Sequence, residues 1–460
     1  MAFAEKMVKN LVLYLKWPIF VCKLNKDLRK TMQYRITAPS ELHTAIKLPA
    51  SKSISNRALI ISALAAISRE DHKCDFSKMQ PVQNLSDCDD TEVIVDALAS
   101  MPYEINIKAA GTAMRFMTAL LAATPCGDHC ITGTDRMKHR PIKVLVDALL
   151  LLGSNISYKG EEGFPPLYIK GRRLEGGTLE VAGNMSSQYI SALLLIGPML
   201  SKGLELKLTG DIVSRPYIDL TLWTMREFGA DAEWTSVDTI MVKPQSYIAK
   251  PQYYVENDWS AASYWYAMVA LSAQRDAEVK LEGLMDGSKQ GDSSVRYIFS
   301  LLGVKTTFGE RKPGVPTTVT LRKSGHRVPR LDYDFAGSPD LAQTFVVVCA
   351  MLDVKFRFRG LQTLKIKETD RIEALKTEMR KLGYVIYDID GQELVWDGER
   401  CEPQEIPVID TYEDHRMALA FAPISMCMPI RINQPQVVSK SYPHFWNDLV
   451  QTGFKIEELA

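Results

Sequence analysis

The sequence predicts a symmetric α/β protein, because two kinds of helix recur together along the chain. The first kind is amphipathic, ends at a glycine and precedes a short β-like run. Its copies end at Gly153, Gly229, Gly303, Gly383 and Gly453, and a weaker copy begins at Asp89. The second kind is apolar nearly all round, so it must be buried on every side. Its copies begin at Ser51, Gly111, Ser186, Asp258, Ser338 and Asp414. Copies lie roughly 75 residues apart, which indicates six units with one helix of each kind plus short strands.

Composition is that of an ordinary globular protein. The 460 residues are 46% hydrophobic and 24% charged, which is enough for two or three domains. Lys+Arg and Asp+Glu both number 55, so net charge gives no reason to expect a nucleic-acid or membrane partner. The 8 cysteines are scattered without a CxxC pair, which predicts free thiols in a reducing cytoplasm. Cys126, His129, Cys130 and His139 match no zinc spacing, so no metal site is predicted there.

The segment 1–31 lacks the pattern of the remaining chain. Its apolar run at 11–22 is interrupted by Lys16 and Pro18, so it is too short and broken to span a bilayer. It has basic flanks but no small-residue cleavage site. Domain-like patterning begins near Met32, and residues 1–31 are therefore expected to be an appended segment outside the fold.

Cations concentrate in the loops between the two kinds of helix, although the whole chain is neutral. A single charged loop residue usually faces solvent. Symmetric units, however, would bring corresponding loops to one region of the molecule. The loop cations are Arg136, Lys138, Arg140, Arg215, Lys289, Lys365, Lys367, Arg371 and Lys440.

The starts of the buried helices have the chemistry of anion binding. The motifs SKSISNR, GTAMR and SSQ place small or hydroxyl residues where free N–H groups and the helix dipole attract phosphate or carboxylate. An ordinary N-cap explains each serine equally well when it is taken alone. Lys52 and Arg57 favour an anion site, because cations in the first turns oppose the helix dipole and require a compensating anion.

Two later junctions combine cations with acids. Lys367, Glu368 and Arg371 share one loop-to-helix junction, where a salt bridge within the loop is the alternative explanation. Arg416 lies near the start of an otherwise apolar helix and is costly there unless it faces an anion in a cleft. Asp340 begins another buried helix, either as a cap or as a base.

Together these motifs resemble the enolpyruvyl transferases, and within them the 5-enolpyruvylshikimate-3-phosphate synthases, from about residue 34 to the C-terminus. The resemblance is carried, in order, by LPASKSISNRALI, AGTAMR, RMKHRP, SSQY, SRPYID, SPDLA, KETDRIEALKTEMRKLG and EDHRMA. GTAMR alone would be a weak signal, but the ordered set is specific. The sequence departs from the common pattern at Ala109, Phe116 and Thr363, where many members have Asn, Pro and Asn.

The resemblance implies an α/β fold of two similar domains, each an inside-out α/β barrel of three repeated units, joined by a two-strand hinge. The N-terminal domain would be 52–257, and the C-terminal domain would combine 32–51 with 258–460. Helix starts and cations of both domains would then face one cleft. Because like charges repel, an empty cleft is expected to stand open.

The resemblance also implies the reaction. The enolpyruvyl group of phosphoenolpyruvate would pass to the 5-hydroxyl of shikimate 3-phosphate, with release of phosphate, in the shikimate pathway to chorismate and the aromatic amino acids. Glu368 would protonate the methylene carbon, and Asp340, with Lys52, would handle the 5-hydroxyl proton. No metal or organic cofactor is implied. The expected partners are the two small-molecule substrates, without nucleic acid or membrane, and the expected state is a cytoplasmic monomer.

Binding roles are likewise implied residue by residue. Phosphoenolpyruvate would be held by Lys52, Gly111, Arg140, Gln188, Arg371, Arg416 and Lys440. Shikimate 3-phosphate would be held by Lys52, Ser53, Arg57, Ser186, Ser187, Gln188, Ser214, Asp340 and Lys367. His415 needs only a structural role.

Two alternatives stay open. The sister transferase that acts on UDP-N-acetylglucosamine shares the fold, but it has a reactive cysteine where RMKHRP and its flanking helix have none; Cys126 and Cys130 lie nearby. An inactive binding module of the same fold is the second alternative. The joint presence of Lys52, Asp340 and Glu368 with Arg416 argues against it.

Overall fold

The computed structural model describes residues 32–67, 74–184, 186–310, 312 and 314–459, so the segment 1–31 lies outside the described residues. The α-helices of these ranges are α1 (Lys52–Ala65), α2 (Asp89–Ser100), α3 (Gly111–Ala123), α4 (Lys143–Leu151), α5 (Ser187–Ile196), α6 (Arg215–Glu227), α7 (Trp259–Leu271), α8 (Val295–Ser300), α9 (Ala342–Met351), α10 (Arg371–Lys381), α11 (His415–Phe421) and α12 (Phe445–Gln451).

The strands of the same ranges are β1 (Gln33–Thr37), β2 (His43–Lys47), β3 (Val82–Gln83), β4 (Glu104–Asn106), β5 (Asp128–Thr132), β6 (Asn155–Tyr158), β7 (Leu167–Lys170), β8 (Gly177–Ala182), β9 (Leu204–Thr209), β10 (Ala232–Trp234), β11 (Thr239–Val242), β12 (Tyr253–Tyr254), β13 (Glu278–Leu284), β14 (Val304–Phe308), β15 (Thr317–Lys323), β16 (Arg330–Asp334), β17 (Lys355–Arg359), β18 (Tyr387–Ile389), β19 (Glu393–Trp396), β20 (Val408–Ile409), β21 (Ile430–Asn433) and β22 (Lys455–Leu459).

Both predicted kinds of helix are present, and they alternate. The odd-numbered helices are the predicted buried ones and the even-numbered helices the predicted amphipathic ones. The glycines at the ends of five amphipathic helices have φ between 82° and 91°, the left-handed conformation in which glycine ends a helix: Gly153, Gly229, Gly303, Gly383 and Gly453. In the weaker copy, Met101 takes this place with φ 40°. The repeats predicted from the sequence are therefore confirmed.

Five four-stranded sheets share one topology. Each has a parallel pair followed by two antiparallel neighbours, in the orders β4-β5-β7-β6, β8-β9-β11-β10, β2-β13-β15-β14, β16-β17-β19-β18 and β20-β21-β1-β22. In the last of these, β1 comes from the start of the described chain and lies between β21 and β22. The sixth unit contributes only the short parallel pair β3 and β12.

Two separate hydrophobic cores divide the chain into two domains. One core takes its residues from 50–255, and the other takes them from 36–48 and 259–454. The three sheets made from strands β3 through β12 surround the first core. The three sheets made from β1, β2 and β13 through β22 surround the second. The fold is thus an α/β fold with two domains of three units each.

The chain crosses between the domains twice, side by side. Ala50 and Asn257 form an antiparallel bridge at the crossing. The Ser51 N–H donates to the Glu256 carbonyl at 2.8 Å, and the Asp258 N–H donates to the Pro49 carbonyl at 2.9 Å. We propose domain boundaries at this hinge, with 52–257 as the N-terminal domain and 32–51 plus 258–460 as the C-terminal domain.

The expectation that the cysteines are unpaired is wrong at one pair. Cys74 and Cys126 form a disulfide, with Cα atoms 5.4 Å apart, across a sequence separation of 52 residues. No local motif marks this pair, because only the tertiary fold brings the segment before α2 to the end of α3. The bond also removes Cys126 from the metal constellation considered above.

None of the helices in the described ranges combines the length and the hydropathy that crossing a lipid bilayer requires.

Candidate active site

Two adjoining pockets lie between the domains. They share seven wall residues: Lys52, Thr112, Arg140, Gln188, Asp340, Lys367 and Arg416. The hydroxyl-lined pocket adds Ser53, Arg57, Arg115, Phe116, Pro141, Ser186, Ser187, Tyr189, Ser214, Tyr217, Thr363 and Ile366. The charged pocket adds Asp90, Gly111, Glu368, Arg371 and His415. Every residue expected to hold shikimate 3-phosphate lies in the first wall, and every residue expected to hold phosphoenolpyruvate except Lys440 lies in the second.

The pocket walls are built from the starts of buried helices. Ser51 occupies the N-cap position of α1, but its side chain makes no capping hydrogen bond among the described residues, unlike the cap that the alternative interpretation required. At α5, the Gln188 N–H donates to Ser186 Oγ at 3.4 Å, which is a capping contact. Gln188 Nε2 also donates to Thr112 Oγ1 at 3.2 Å, which ties the start of α5 to the start of α3.

Arg57 is a buried cation whose hydrogen bonds all go to neutral oxygen atoms. Nε donates to Thr221 Oγ1 at 2.7 Å, Nη1 to the Ser53 carbonyl at 2.8 Å, and Nη2 to Ser191 Oγ at 3.2 Å and the Tyr217 carbonyl at 3.1 Å. Burial lowers its pKa to about 10. A guanidinium held in this way is oriented but not neutralised, which suits the binding of an anion.

The cleft cations are paired with carboxylates, which the sequence expectation did not count. Lys52 Nζ lies 3.5 Å from Asp90 Oδ2, and Arg140 Nη1 lies 4.0 Å from Glu368 Oε1. Lys367 Nζ lies 3.5 Å from Asp340 Oδ1. These acids offset part of the repulsion that the sequence expectation assumed. That an empty cleft stands open stays a prediction.

Backbone and side-chain contacts also join the two domains across the cleft. The Ser214 N–H donates to the Ala336 carbonyl at 2.9 Å. Ser439 Oγ donates to Asp89 Oδ2 at 2.8 Å, beside Lys440. The described structure is thus a closed arrangement of the domains.

Arg371 is the centre of the charge network. Its side chain is 1% exposed and contacts three carboxylates. Nε and Nη2 donate to the two oxygens of Asp414 at 2.7 and 3.2 Å, Nη1 donates to Asp340 Oδ1 at 2.9 Å, and Nη2 donates to Glu368 Oε2 at 2.8 Å. Burial opposes its charge, but these three acids raise the pKa of Arg371 well above its ordinary value.

Both predicted catalytic acids are held as carboxylates. Burial would raise the pKa of Asp340, but Arg416, Lys367 and Arg371 outweigh burial and hold it well below its usual range. Burial acts in the same direction on Glu368, and Arg371 and Arg140 lead the charges that hold its pKa far below the ordinary value. Neither acid carries a proton at neutral pH in this arrangement.

His415 lies in the wall of the charged pocket, where sequence reasoning gave it only a structural role. Neither ring nitrogen has a hydrogen-bond partner among the described residues. Burial, followed by the charge of Lys52, holds its pKa well below the ordinary value, so the ring is neutral. Adjacency to Arg416 was the available signal for this residue.

Sequence reasoning also missed the wall residues Asp90 and Tyr217, whereas Phe116 and Thr363 were singled out as departures from the family pattern. Asp90 was hidden in the weakest repeat, and Tyr217 lay unremarked inside SRPYID. Phe116 lies under the Arg57 guanidinium, 5.5 Å from its ring centroid, and the buried Thr363 Oγ1 has no partner among the described residues. Lys440 lies beside the pockets instead of in their walls, and its Nζ donates to the Glu413 carbonyl at 3.1 Å.

Asp292 is a buried acid next to this network. It accepts hydrogen bonds from Tyr217 Oη, in the other domain, at 3.1 Å and from Ser260 Oγ. Its pKa is raised from 3.8 to about 6, chiefly by burial; the charge of Arg416 opposes this shift, and the charges of Asp340 and Asp258 add to it.

We expect Asp292 to make stability depend on pH. Its folded pKa exceeds its unfolded value, so the folded protein binds more protons between the two values, and stability falls as pH rises through this window. The unfolding free energy of the wild type minus that of Asp292→Asn should fall by about 2 kcal/mol from about pH 4 to about pH 7. Urea unfolding at a series of pH values measures this difference. A difference that stays constant would contradict the expectation.

The chain is similar in sequence to known proteins of one family. A family model described as EPSP synthase (3-phosphoshikimate 1-carboxyvinyltransferase) matches residues 36–449. A 3-phosphoshikimate 1-carboxyvinyltransferase of Bacteroides fragilis strain YCH46 is 58% identical over 427 residues, covering 93% of this chain and 99% of the relative. The protein of that description from Aliivibrio fischeri strain ES114 is 34% identical over 438 residues, covering 89% and 97%.

Solved structures agree on the fold. An EPSP synthase from Acinetobacter baumannii superposes with a TM-score of 0.72 at 19% identity, covering 94% of this chain and 100% of the other. The enolpyruvyl transferase NikO from Streptomyces tendae gives a TM-score of 0.66 at 15% identity, covering 94% and 99%. At these identities the structures support the architecture alone.

Proposed function

The chain belongs to the EPSP synthase family, and we propose that it transfers the enolpyruvyl group of phosphoenolpyruvate to shikimate 3-phosphate in the cleft between its domains. This activity is that of a 3-phosphoshikimate 1-carboxyvinyltransferase, and it serves the shikimate pathway to chorismate and the aromatic amino acids. The contacts described above support a specific division of the cleft.

We place shikimate 3-phosphate in the hydroxyl-lined pocket. Serine hydroxyls and helix N–H groups suit its phosphate, and Arg57, whose contacts are with neutral atoms, supplies an uncompensated charge. Asp340 and Lys367 face the same pocket and suit the ring hydroxyls. The residues proposed to bind it are Lys52, Ser53, Arg57, Ser186, Ser187, Gln188, Ser214, Asp340 and Lys367.

We place phosphoenolpyruvate in the charged pocket. Arg140, Arg371 and Arg416 converge there with Lys52, and guanidinium groups bind phosphate and carboxylate in bidentate geometry. Gly111 begins α3 at this wall, where an added Cβ would lie 2.6 Å from Arg140 Nη1. Gln188 lies in the same wall, and Lys440 adds positive charge beside it.

The reaction then needs one proton acceptor and one proton donor. The 5-hydroxyl oxygen bonds to C2 of phosphoenolpyruvate as its proton passes to Asp340, with Lys52 stabilising the developing charge. C3 takes a proton from Glu368 and becomes a methyl group. Loss of phosphate breaks the C2–O bond, and return of a methyl proton to Glu368 restores the double bond.

Substrate charge prepares both acids for these roles. The phosphates and carboxylates of the two substrates compete with Asp340 and Glu368 for the same cations. When substrate anions satisfy those cations, the pKa of each acid rises toward its ordinary value, because the stabilising charge is shared. We therefore infer that Glu368 becomes a competent proton donor only when the substrates are bound in the cleft. The neutral ring of His415 can accept a hydrogen bond there.

The observation that supports this function most directly is the meeting of Lys52, Arg140, Asp340, Glu368, Arg371 and Arg416, drawn from both domains, in one wall. Phosphate release from phosphoenolpyruvate tests it. We expect rapid release with shikimate 3-phosphate and none above background with UDP-N-acetylglucosamine. The reverse preference would overturn the proposal. Cys126 is bonded to Cys74 and Cys130 is buried, so neither resembles the reactive thiol of the sister transferase.

We further propose that the enzyme acts as a cytoplasmic monomer. Both substrate pockets are lined by residues of one chain, which supports the monomer. Five described cysteines are free, as is usual in a reducing compartment, whereas the Cys74–Cys126 disulfide is unusual there. Sedimentation of the purified protein tests the monomer, and cell fractionation tests the location.

A further inference from the structure

A tight turn with unusual residues precedes α11. The Asp414 N–H donates to the Thr411 carbonyl at 2.8 Å, and the two central residues, Tyr412 and Glu413, have φ of 54° and 55°. Such turns ordinarily use Gly, Asn or Asp, because a side chain in this conformation clashes with its own backbone. This turn is therefore strained and requires outside contacts to persist.

Contacts from both domains hold the turn. Behind it, Tyr412 Oη donates to Glu378 Oε1 at 2.6 Å. In front, Arg136 Nη1 from the N-terminal domain donates to the Tyr412 carbonyl and to Glu413 Oε2, both at 3.1 Å. Closure of the domains thus brings Arg136 onto the strained backbone.

The turn sets the position of the charged pocket. Asp414, its last residue, is fully buried and accepts two hydrogen bonds from Arg371. The Asp414 carboxylate also accepts the Arg416 N–H at 2.9 Å, which fixes the start of α11. A shift of Asp414 would therefore move the Arg371 guanidinium, which it binds directly, and the start of α11, which carries Arg416.

We propose that Arg136 is a positioning residue, whose docking on the Tyr412–Glu413 turn at domain closure aligns Arg371 and Arg416 for the anionic substrate. The inference rests on the proposed function, in that phosphoenolpyruvate is the anion those arginines receive. Arg136 touches neither pocket wall, so it acts through the turn. It gives the N-terminal domain a direct contact with the turn beside the proposed phosphoenolpyruvate site.

Steady-state kinetics of Arg136→Ala tests the proposal. We expect the KM for phosphoenolpyruvate to rise about tenfold, the effect of losing a charge-assisted hydrogen bond, while kcat stays within about twofold. Arg136→Lys should recover part of the loss, since an ammonium group can still reach the carbonyl. Lys138→Ala is the matched control, because Lys138 lies in the same loop and pairs only with Asp135 in the contacts described. Equal KM values in Arg136→Ala and Lys138→Ala would overturn the proposal.

A rescue experiment separates strain from simple loss of charge. Glycine adopts positive φ without penalty, so Glu413→Gly in the Arg136→Ala background should restore the KM for phosphoenolpyruvate to within about threefold of the wild type. No recovery would show that Arg136 does not act by holding the turn.

Amide hydrogen exchange gives a readout that does not depend on activity. The Asp414 and Arg416 amides should exchange faster in Arg136→Ala than in the wild type, and Glu413→Gly should reverse the change. If the wild type failed to release phosphate with shikimate 3-phosphate, the proposed function would fall while this exchange test still decided the role of Arg136. Unchanged exchange in Arg136→Ala would reject that role.

Discussion

We expect the Glu368→Gln variant to bind both substrates within about threefold of the wild type but to turn over roughly 10²-fold more slowly or worse. The amide keeps the volume of the side chain and an acceptor for Arg371, but it has no acidic proton for C3. In heavy water the variant should also fail to exchange the methylene hydrogens of phosphoenolpyruvate, because that exchange needs proton addition and return. Steady-state assays and proton NMR measure the two effects.

Glu373→Gln is the matched control for this prediction. Glu373 lies in α10, the helix that follows the loop of Glu368; its side chain is 57% exposed and pairs with Lys376 at 2.7 Å. The control should keep full turnover and normal exchange. If Glu368→Gln behaved like this control, Glu368 would not be the proton donor.

Arg371→Met should be the most destabilising substitution in the cleft. It leaves the carboxylates of Asp340, Glu368 and Asp414 buried without their shared cation, and loss of one partner of a buried ion pair costs about 3–5 kcal/mol. Denaturant unfolding should therefore show a free energy lower by about that amount, together with loss of activity.

Two further variants test whether this loss of stability comes from the buried charge network. Arg357→Met removes a partly exposed ion pair with Glu393 and should lower the unfolding free energy far less than Arg371→Met does. Adding Asp414→Asn to Arg371→Met should recover part of the lost stability, because one uncompensated charge disappears. A cost for Arg371→Met no larger than that of Arg357→Met would show that the network does not stabilise the fold.

Much of the architecture could be predicted because each helix carries its own local signal. The absence of a polar face predicts that a helix is buried, and a glycine such as Gly153 or Gly383 predicts where a helix ends. Both predictions depend only on the local sequence. Identical signals in successive units then predicted the repeated fold. The short pair of β3 and β12 had no such signal, because each strand has only two residues.

The cations of the site were also predictable, whereas their partners were not. Lys52, Arg371 and Arg416 stand in places where a charge is costly, so their types and positions were informative. Asp414 pairs with Arg371 across a separation of 43 residues, and neither segment contains a local pattern that predicts the pair. For that reason the sequence predicted mutual repulsion, although carboxylates in the folded cleft pair with Lys52, Arg140, Lys367, Arg371 and Arg416.

The turn at Tyr412 and Glu413 could not be predicted from the sequence, for a different reason. Local preference alone predicts a different backbone for these two residue types, since their left-handed conformation is disfavoured. Contacts from Glu378 and from Arg136 in the other domain override this preference. The same holds for the disulfide of Cys74 and Cys126, whose proximity is a property of the assembled fold.

The place of β1 between β21 and β22 bears on how the protein is made. A ribosome releases the N-terminal domain as one continuous stretch, which can fold while synthesis proceeds. The strand β1 cannot pair until β21 and β22 have been synthesised, because Gln33 pairs with Asn433 and with Leu459. At about 5–20 residues per second, that wait lasts roughly 20–80 seconds. During this time β1 is an unpaired strand beside a finished domain, whereas β2 can pair earlier with β13. Unpaired strands are targets for chaperones, and a chain that stops before β21 leaves the last sheet incomplete.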